Sequence, residues 1–150
     1  MNTLKEGLKL NPASYELRKS QLNSLHPKWG GSHEQIAAFL ADTKKYEHIN
    51  ANLKPLAGYN EYVQGTRAIE TNHFNESIKL LTAALKHGDK TWFYVKRGKC
   101  HYHLKDYDKA LSDFNQALAL YPEYTEALNW RSWVYRKKEM HAEALGDLDL

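Results

Sequence analysis

The sequence has 150 residues, 42% hydrophobic and 26% charged, enough for one folded domain or a short stack of repeats; this excludes a disordered tail and a collagen-like fibre. With 8 Gly and 4 Pro against many Leu, Ala, Lys and Glu, the composition favours helix over an all-β sandwich, which needs a turn about every ten residues. A net charge of +3 is too small for a nucleic-acid arm or a polybasic membrane anchor, and the single Cys100 excludes an internal disulfide and a two-cysteine zinc site. The lone thiol fits a reducing compartment. No secretory signal opens the chain and no run approaches the roughly 18 apolar residues of a membrane span, so the expectation is a soluble, cytoplasmic protein.

In chain order, residues 1–13 come first: Leu4, Leu8 and Leu10 followed by Asn11-Pro12 read as the tail of a preceding helical unit or a lead-in. Residues 14–46 read as a helical hairpin, with helices over about 14–25 and 33–46. Ser32, with Gln35 three residues on, predicts a capping box for the second helix. The loop between them carries Trp29-Gly30-Gly31-Ser32, read as a tight turn with Trp29 tucked against the hairpin. Residues 47–57 are the expected linker.

From there the chain repeats itself. A shift of 33 residues pairs Phe74 with Tyr107, Gly65 with Gly98 and Ala84 with Ala117; a shift of 34 then takes Gly98 to Ser132, Ala110 to Ala144 and Phe114 to Leu148. Periods of this size mark a solenoid. The units run over 58–90, 91–124 and an incomplete 125–150, so both ends read as cut from a longer array. In the unit over 91–124, Gly98 and Ala110 are expected where two antiparallel helices approach closest, Phe114 and Ala117 face the first helix, and Pro122 closes the unit. Gly88 and Asp89 are expected to end one helix in the left-handed region and cap the next.

Tyr94, Gly98 and His101, then Ala110, Phe114, Ala117 and Pro122, resemble the tetratricopeptide repeat (TPR) family. The resemblance implies an all-α, right-handed solenoid of antiparallel helix hairpins, with 14–46 as a divergent, TPR-like hairpin. The Trp29–Ser32 motif is also similar to a bacterial domain of unknown function associated with TPRs.

In the family the first helices of successive repeats line a concave groove. Mapped onto this sequence, the groove holds Tyr59, Tyr62, Thr66 and Ile69, then Trp92, Val95, Lys96, Lys99 and Tyr102, then Glu126, Asn129, Trp130, Trp133, Arg136 and Lys137. Rigid aromatics and cations are what an interaction surface uses, so the expected partner is a peptide or protein segment with acidic and apolar side chains, its carboxylates meeting Lys96 and Lys99. Several aromatics, Trp92 and Trp130 above all, have a second reading as filler between repeats. Some family members hold a C-terminal carboxylate with Lys, Asn and Arg. Here those places carry Tyr62, Thr66, Lys96, Glu126 and Trp130, so that clamp is not expected.

No catalytic residue, cofactor or metal is expected. His101 and His103 are two apart and diverge by about 200° on a helix, and the adjacent Cys100 and His101 by about 100°, so neither pair serves as a chelate or as a nucleophile with its base. Asp147 and Asp149 read as solvated charges. Two further functions stay open beside the peptide scaffold. One is an architectural module that self-associates through exposed Leu145, Leu148 and Leu150 on an open C-terminal helix; the other, second choice because of Glu70 and Glu126 near the groove, is single-stranded RNA binding.

Overall fold

The computed structural model describes residues 3–148, and among them there is no strand. The helices are α1 (Thr3–Leu10), α2 (Tyr15–Ser24), α3 (His33–Lys44), α4 (Tyr59–Glu70), α5 (Phe74–Leu85), α6 (Thr91–His103), α7 (Tyr107–Leu120), α8 (Thr125–Lys137) and α9 (His141–Leu148). Short 3₁₀ helices lie at Pro27–Trp29 and Ala51–Gly58. From α4 to α9 consecutive helices pack on one another, giving an all-α solenoid of hairpins. No described helix is long and apolar enough to cross a membrane.

The hairpins α4–α5, α6–α7 and α8–α9 share one turn. Asn72, Lys105 and Glu139 each take a positive φ near 60°. The amide that follows reaches back five residues, His73 to the Ala68 carbonyl, Asp106 to His101 and Met140 to Tyr135. This left-handed cap satisfies carbonyls that a helix end otherwise leaves unpaired. Only Asn72 suits the backbone; Lys105 and Glu139 accept left-handed geometry at a cost.

Small residues set the spacing between helices, as expected. A Cβ on Gly98 would lie 2.7 Å from the Phe114 ring. Phe114, Ala110 and Ala117 are fully buried, in one core with Val95, Leu118, Ala127, Leu128 and Val134. An arginine ties the layers together. Arg97 donates from Nε and Nη2 to both oxygens of Asp113 at 2.9 and 2.7 Å, and from Nη1 to Thr82 Oγ1 at 3.1 Å. Thirty-four positions later Arg131 repeats this, gripping both oxygens of Asp147 and donating to Asn115 Oδ1 at 2.7 Å. Each arginine therefore spans its own repeat's second helix and that of the repeat before. Asp147 is consequently not a solvated charge: at 7% exposure it is buried and fully engaged. Asp149 and Leu150 lie outside the described residues, as does the side chain of Leu148.

Helices α2 and α3 occupy the stretch over 14–46. Ser14 caps α2, and Ser32 and Gln35 make the reciprocal capping box of α3. Fully buried Arg18 holds the pair together, donating to the Pro12 carbonyl, to Thr43 Oγ1 at 2.8 Å and to Asp42 Oδ2 at 3.0 Å, with its guanidinium over the Phe39 and Tyr46 rings.

Three local expectations are corrected. The stretch over 47–57 is no free linker: Leu53 and Leu56 of the Ala51–Gly58 helix are buried with Leu22, Ile36, Tyr59 and Val63, because their apolar side chains weld the hairpin to α4. Trp29 is not tucked in but 72% exposed, since the left-handed Gly30 and the approach of Gly31 to the Leu25 carbonyl turn the chain outward. Gly88 does take a positive φ of 142°, but Asp89 does not cap α6; its carboxylate accepts the Tyr94 hydroxyl at 2.6 Å, and Lys90 occupies the N-cap position.

Candidate partner-binding groove

Helical spacing puts Trp92, Lys96 and Lys99 on one face of α6, and Glu126, Trp130, Trp133 and Lys137 on one face of α8. On α4 the corresponding face carries Tyr59, Tyr62 and Thr66. An aromatic track runs along these helices in two clusters. Tyr59 and Tyr62 rings lie 5.9 Å apart, Tyr62 and Phe93 5.6 Å, and Phe93 meets Trp92 edge-on at 5.7 Å. Farther along, Tyr102 packs on Trp130 at 5.2 Å, and Trp130 on Trp133 at 4.7 Å.

The residues read as groove-lining take different places in this track. Tyr59 is buried at 5% exposure, with its hydroxyl donating to Asn23 Oδ1 of α2 at 2.9 Å; burial raises its pKa to about 12. Val95 is fully buried in the core between repeats. Tyr62 and Trp92 are half-buried, and Thr66 spends its hydroxyl on the Tyr62 carbonyl at 2.9 Å. Tyr102 is half-buried, whereas Asn129, Trp133 and Arg136 are exposed, Trp133 at 47%. Trp130 stacks at 6.5 Å on the core ring of Phe114, as filler would, and packs on Trp133 from the other side.

The cations are of two kinds. Lys96 and Lys99 converge on one acid, with Glu126 Oε1 at 3.0 and 3.5 Å, and the Lys99 ammonium also lies 5.0 Å from the Trp130 ring centroid. Glu126 thus offsets one of the two positive charges at the middle of the face from within. Arg136 and Lys137 have no carboxylate partner among the described residues, and with Tyr102, Trp133 and His141 they line an open cleft of about 380 Å³.

Sequence reading missed a second cationic end, because it draws on the hairpin outside the clear repeats. Tyr15 and Lys19, one turn apart on α2, meet Lys90 and Trp92 at the start of α6. The available signals were the i, i+4 spacing of Tyr15 and Lys19 and the place of Lys90 just before a groove tryptophan.

Elsewhere, Cys100 is fully buried beside Ser77 Oγ at 3.2 Å, and burial pushes its thiol pKa up. His101 lies 3.9 Å from Asp113, while His103 stacks on Phe74 with ring centroids 4.8 Å apart. Among the described residues no group of three or more His, Cys, Asp or Glu is placed to hold a metal ion.

Residues 92–124, the α6–α7 hairpin with its Gly98–Phe114 crossing, match the family model of the tetratricopeptide repeat. The chain carries a tetratricopeptide repeat. Two crystal structures of MamA share this chain's fold at 18% identity: one covers 97% of this chain and 81% of its own with a TM-score of 0.62, the other 97% and 75% with 0.61. The crystal structure of YrrB, described as "a TPR protein with an unusual peptide-binding site", is 16% identical over 97% of this chain and 89% of its own, at a TM-score of 0.39. No curated protein sequence matches the chain at a significant level.

Proposed function

We propose that this TPR protein is an interaction scaffold whose concave face holds a segment of another polypeptide bearing apolar and acidic side chains. The observation that carries the reading is the exposed Trp133 standing on Trp130 beside Arg136 and Lys137, cations with no carboxylate partner among the described residues. A large ring half open to solvent, backed by a second ring and flanked by arginine, has the composition of an interaction hot spot. The proposed contact surface comprises Tyr62, Thr66, Trp92, Lys96, Lys99, Tyr102, Asn129, Trp133 and Arg136. Tyr59 supports it from beneath, through burial.

Trp133→Ala is expected to weaken capture of an acidic, apolar partner about tenfold or more, in line with the roughly 2 kcal/mol of a hot-spot ring. Only a modest drop in melting temperature is expected, because the ring is 47% exposed and its main packing is edge-on against Trp130. Capture that survives this change intact, measured by fluorescence anisotropy, removes the groove from consideration.

An architectural reading has one observation in its favour, Leu145, which is 60% exposed on α9. It requires self-association that Leu145→Glu abolishes; a wild-type monomer by light scattering at every concentration rules it out. Single-stranded RNA binding is disfavoured by Glu126 at the centre of the face, and a filter assay with no salt-sensitive binding ends it.

A further inference from the structure

We propose that Lys19 and Lys90, set against Tyr15 and Trp92, form a site for a carboxylate of the bound segment, made jointly by the N-terminal hairpin and the first helix of the clear repeat. The inference rests on the peptide-scaffold reading and names where that partner's acidic group goes.

Four contacts define the place. The Lys90 ammonium lies 4.4 Å from the Tyr15 ring centroid and 5.7 Å from that of Trp92. The Lys19 ammonium lies 5.9 Å from Tyr15 and 5.0 Å from Trp92. Two like charges therefore share two rings, and both side chains are half-buried. Among the described residues neither lysine pairs with a carboxylate, in contrast to Lys96 and Lys99, which Glu126 already satisfies.

Rings attract an ammonium electrostatically but supply no counter-charge, so they do not cancel the mutual repulsion of the two cations, which Glu16 offsets only in part. Burial lowers the pKa of Lys90, the charge of Lys19 lowers it further, and only Glu16 works the other way. An ammonium resting on a ring keeps N–H donors free, so one carboxylate placed between the two can accept from both and cancel the repulsion. The donor set is two point charges with no arginine fork, and a single acidic side chain of the bound segment set between them supplies a counter-charge that both ammonium groups can share.

The site sits at the start of the face that α6 presents. Nine residues separate Lys90 from Lys99, so at about 1.5 Å per residue the Lys99–Trp130 contact lies roughly 13 Å farther on. An extended chain covers that in about four residues. The bound segment therefore carries an acidic residue about four positions from an apolar one that packs on Trp130 and Trp133.

The test uses two fluorescein-labelled peptides, one with a Glu pair four residues from Phe-Leu and one with Gln in place of Glu, against the whole chain at low salt. The wild type is expected to prefer the Glu peptide at least tenfold. In Lys19→Met/Lys90→Met, whose methylenes still cover the rings, that preference disappears while affinity for the Gln peptide is kept. The melting temperature of the double variant holds or rises, because a repulsion is removed. A Glu preference that survives in the double variant, with Trp133→Ala still weakening both peptides, overturns the lysine site and leaves the groove standing. If the wild type binds neither peptide, both ideas fail. Lys19→Arg/Lys90→Arg guards against misfolding as the cause of any loss, since restored preference in that variant assigns the effect to charge.

Discussion

At position 126 a single glutamate decides how the two central lysines behave. Its Oε1 draws in both Lys96 and Lys99, so neither ammonium is idle. Glu126→Gln is expected to tighten binding of an acidic partner several-fold at low salt, and this gain fades as salt screens the freed charges. The stability loss stays within about 1 kcal/mol, the range for partly exposed pairs. Anisotropy titrations at two ionic strengths check the first part, and thermal melting the second. Unchanged affinity at low salt means that the partner's carboxylates do not approach the middle of the face. Reversing Lys96 or Lys99 is a poorer probe, because it sets two carboxylates against one another within the fold. None of this was legible from residue types alone: Glu126, Lys96 and Lys99 lie on neighbouring helices, and their convergence on one oxygen depends on how α6 and α8 cross.

Pairs of helices are held by devices that recur with the repeat. The arginine at 97 and its copy at 131 each bind an aspartate sixteen positions on, and each reaches back to a polar side chain of the preceding repeat. Asp113 is only 3% exposed, so Arg97→Gln leaves a buried carboxylate without its cation, and a loss of about 3 kcal/mol is expected in denaturant unfolding. The paired change Arg97→Gln/Asp113→Asn recovers part of it. If the single and double variants unfold alike, the buried carboxylate is being compensated by another group. The shared hairpin turn offers the opposite sign. Lys105 sits at a φ of 62°, so Lys105→Gly should stabilise by up to about 1 kcal/mol. The repeat register contained Arg97 with Arg131 and Asp113 with Asp147 at the same shift as Gly98 with Ser132, so the buried role of Asp147 was within reach of the sequence. A charge near a chain end was read as solvated because burial is a property of the neighbours.

Across the molecule, acidification should destabilise the fold in two stages. His101, His103 and His26 all have pKa values below the usual 6.5. For His101 burial is the main cause, resisted by Asp113 and Asp106 and assisted by Arg97 and Lys109. Lys99 adds to burial at His103, while at His26 burial outweighs Glu70. Because the folded state binds these protons less readily than the unfolded chain, stability is full above pH 6.5 and declines as the pH falls through the depressed values. A second decline follows in the carboxylate range. Burial works against ionisation of Asp42, but Arg18 and Lys45 more than offset it and hold its pKa below the usual value, so that contribution is lost as Asp42 protonates. Melting temperatures measured from pH 8 to pH 3 check both stages, and His101→Gln should flatten the first. A melting temperature that is level between pH 7.5 and 5.5 contradicts the assignment.

The hairpins, their period and the small residues at their crossings could be read from the chain because each is a local constraint repeated three times. A Cβ at Gly98 would lie 2.7 Å from Phe114, and the equivalent positions hold the small residues Gly65 and Ser132, so the exclusion of bulk leaves a mark at fixed spacing. The capping box at Ser32 and Gln35 was legible for the same reason, being settled within four residues. The tertiary structure alone decided which charges are satisfied and which are left over. It paired Glu126 with Lys96 and Lys99, buried Asp147 under Arg131, turned Trp29 outward, and brought Lys19 of the divergent hairpin to Lys90 and Trp92, more than seventy residues along the chain. Electrostatic satisfaction depends on distance in space and on exposure to water, which follow from how the layers stack and not from any local pattern.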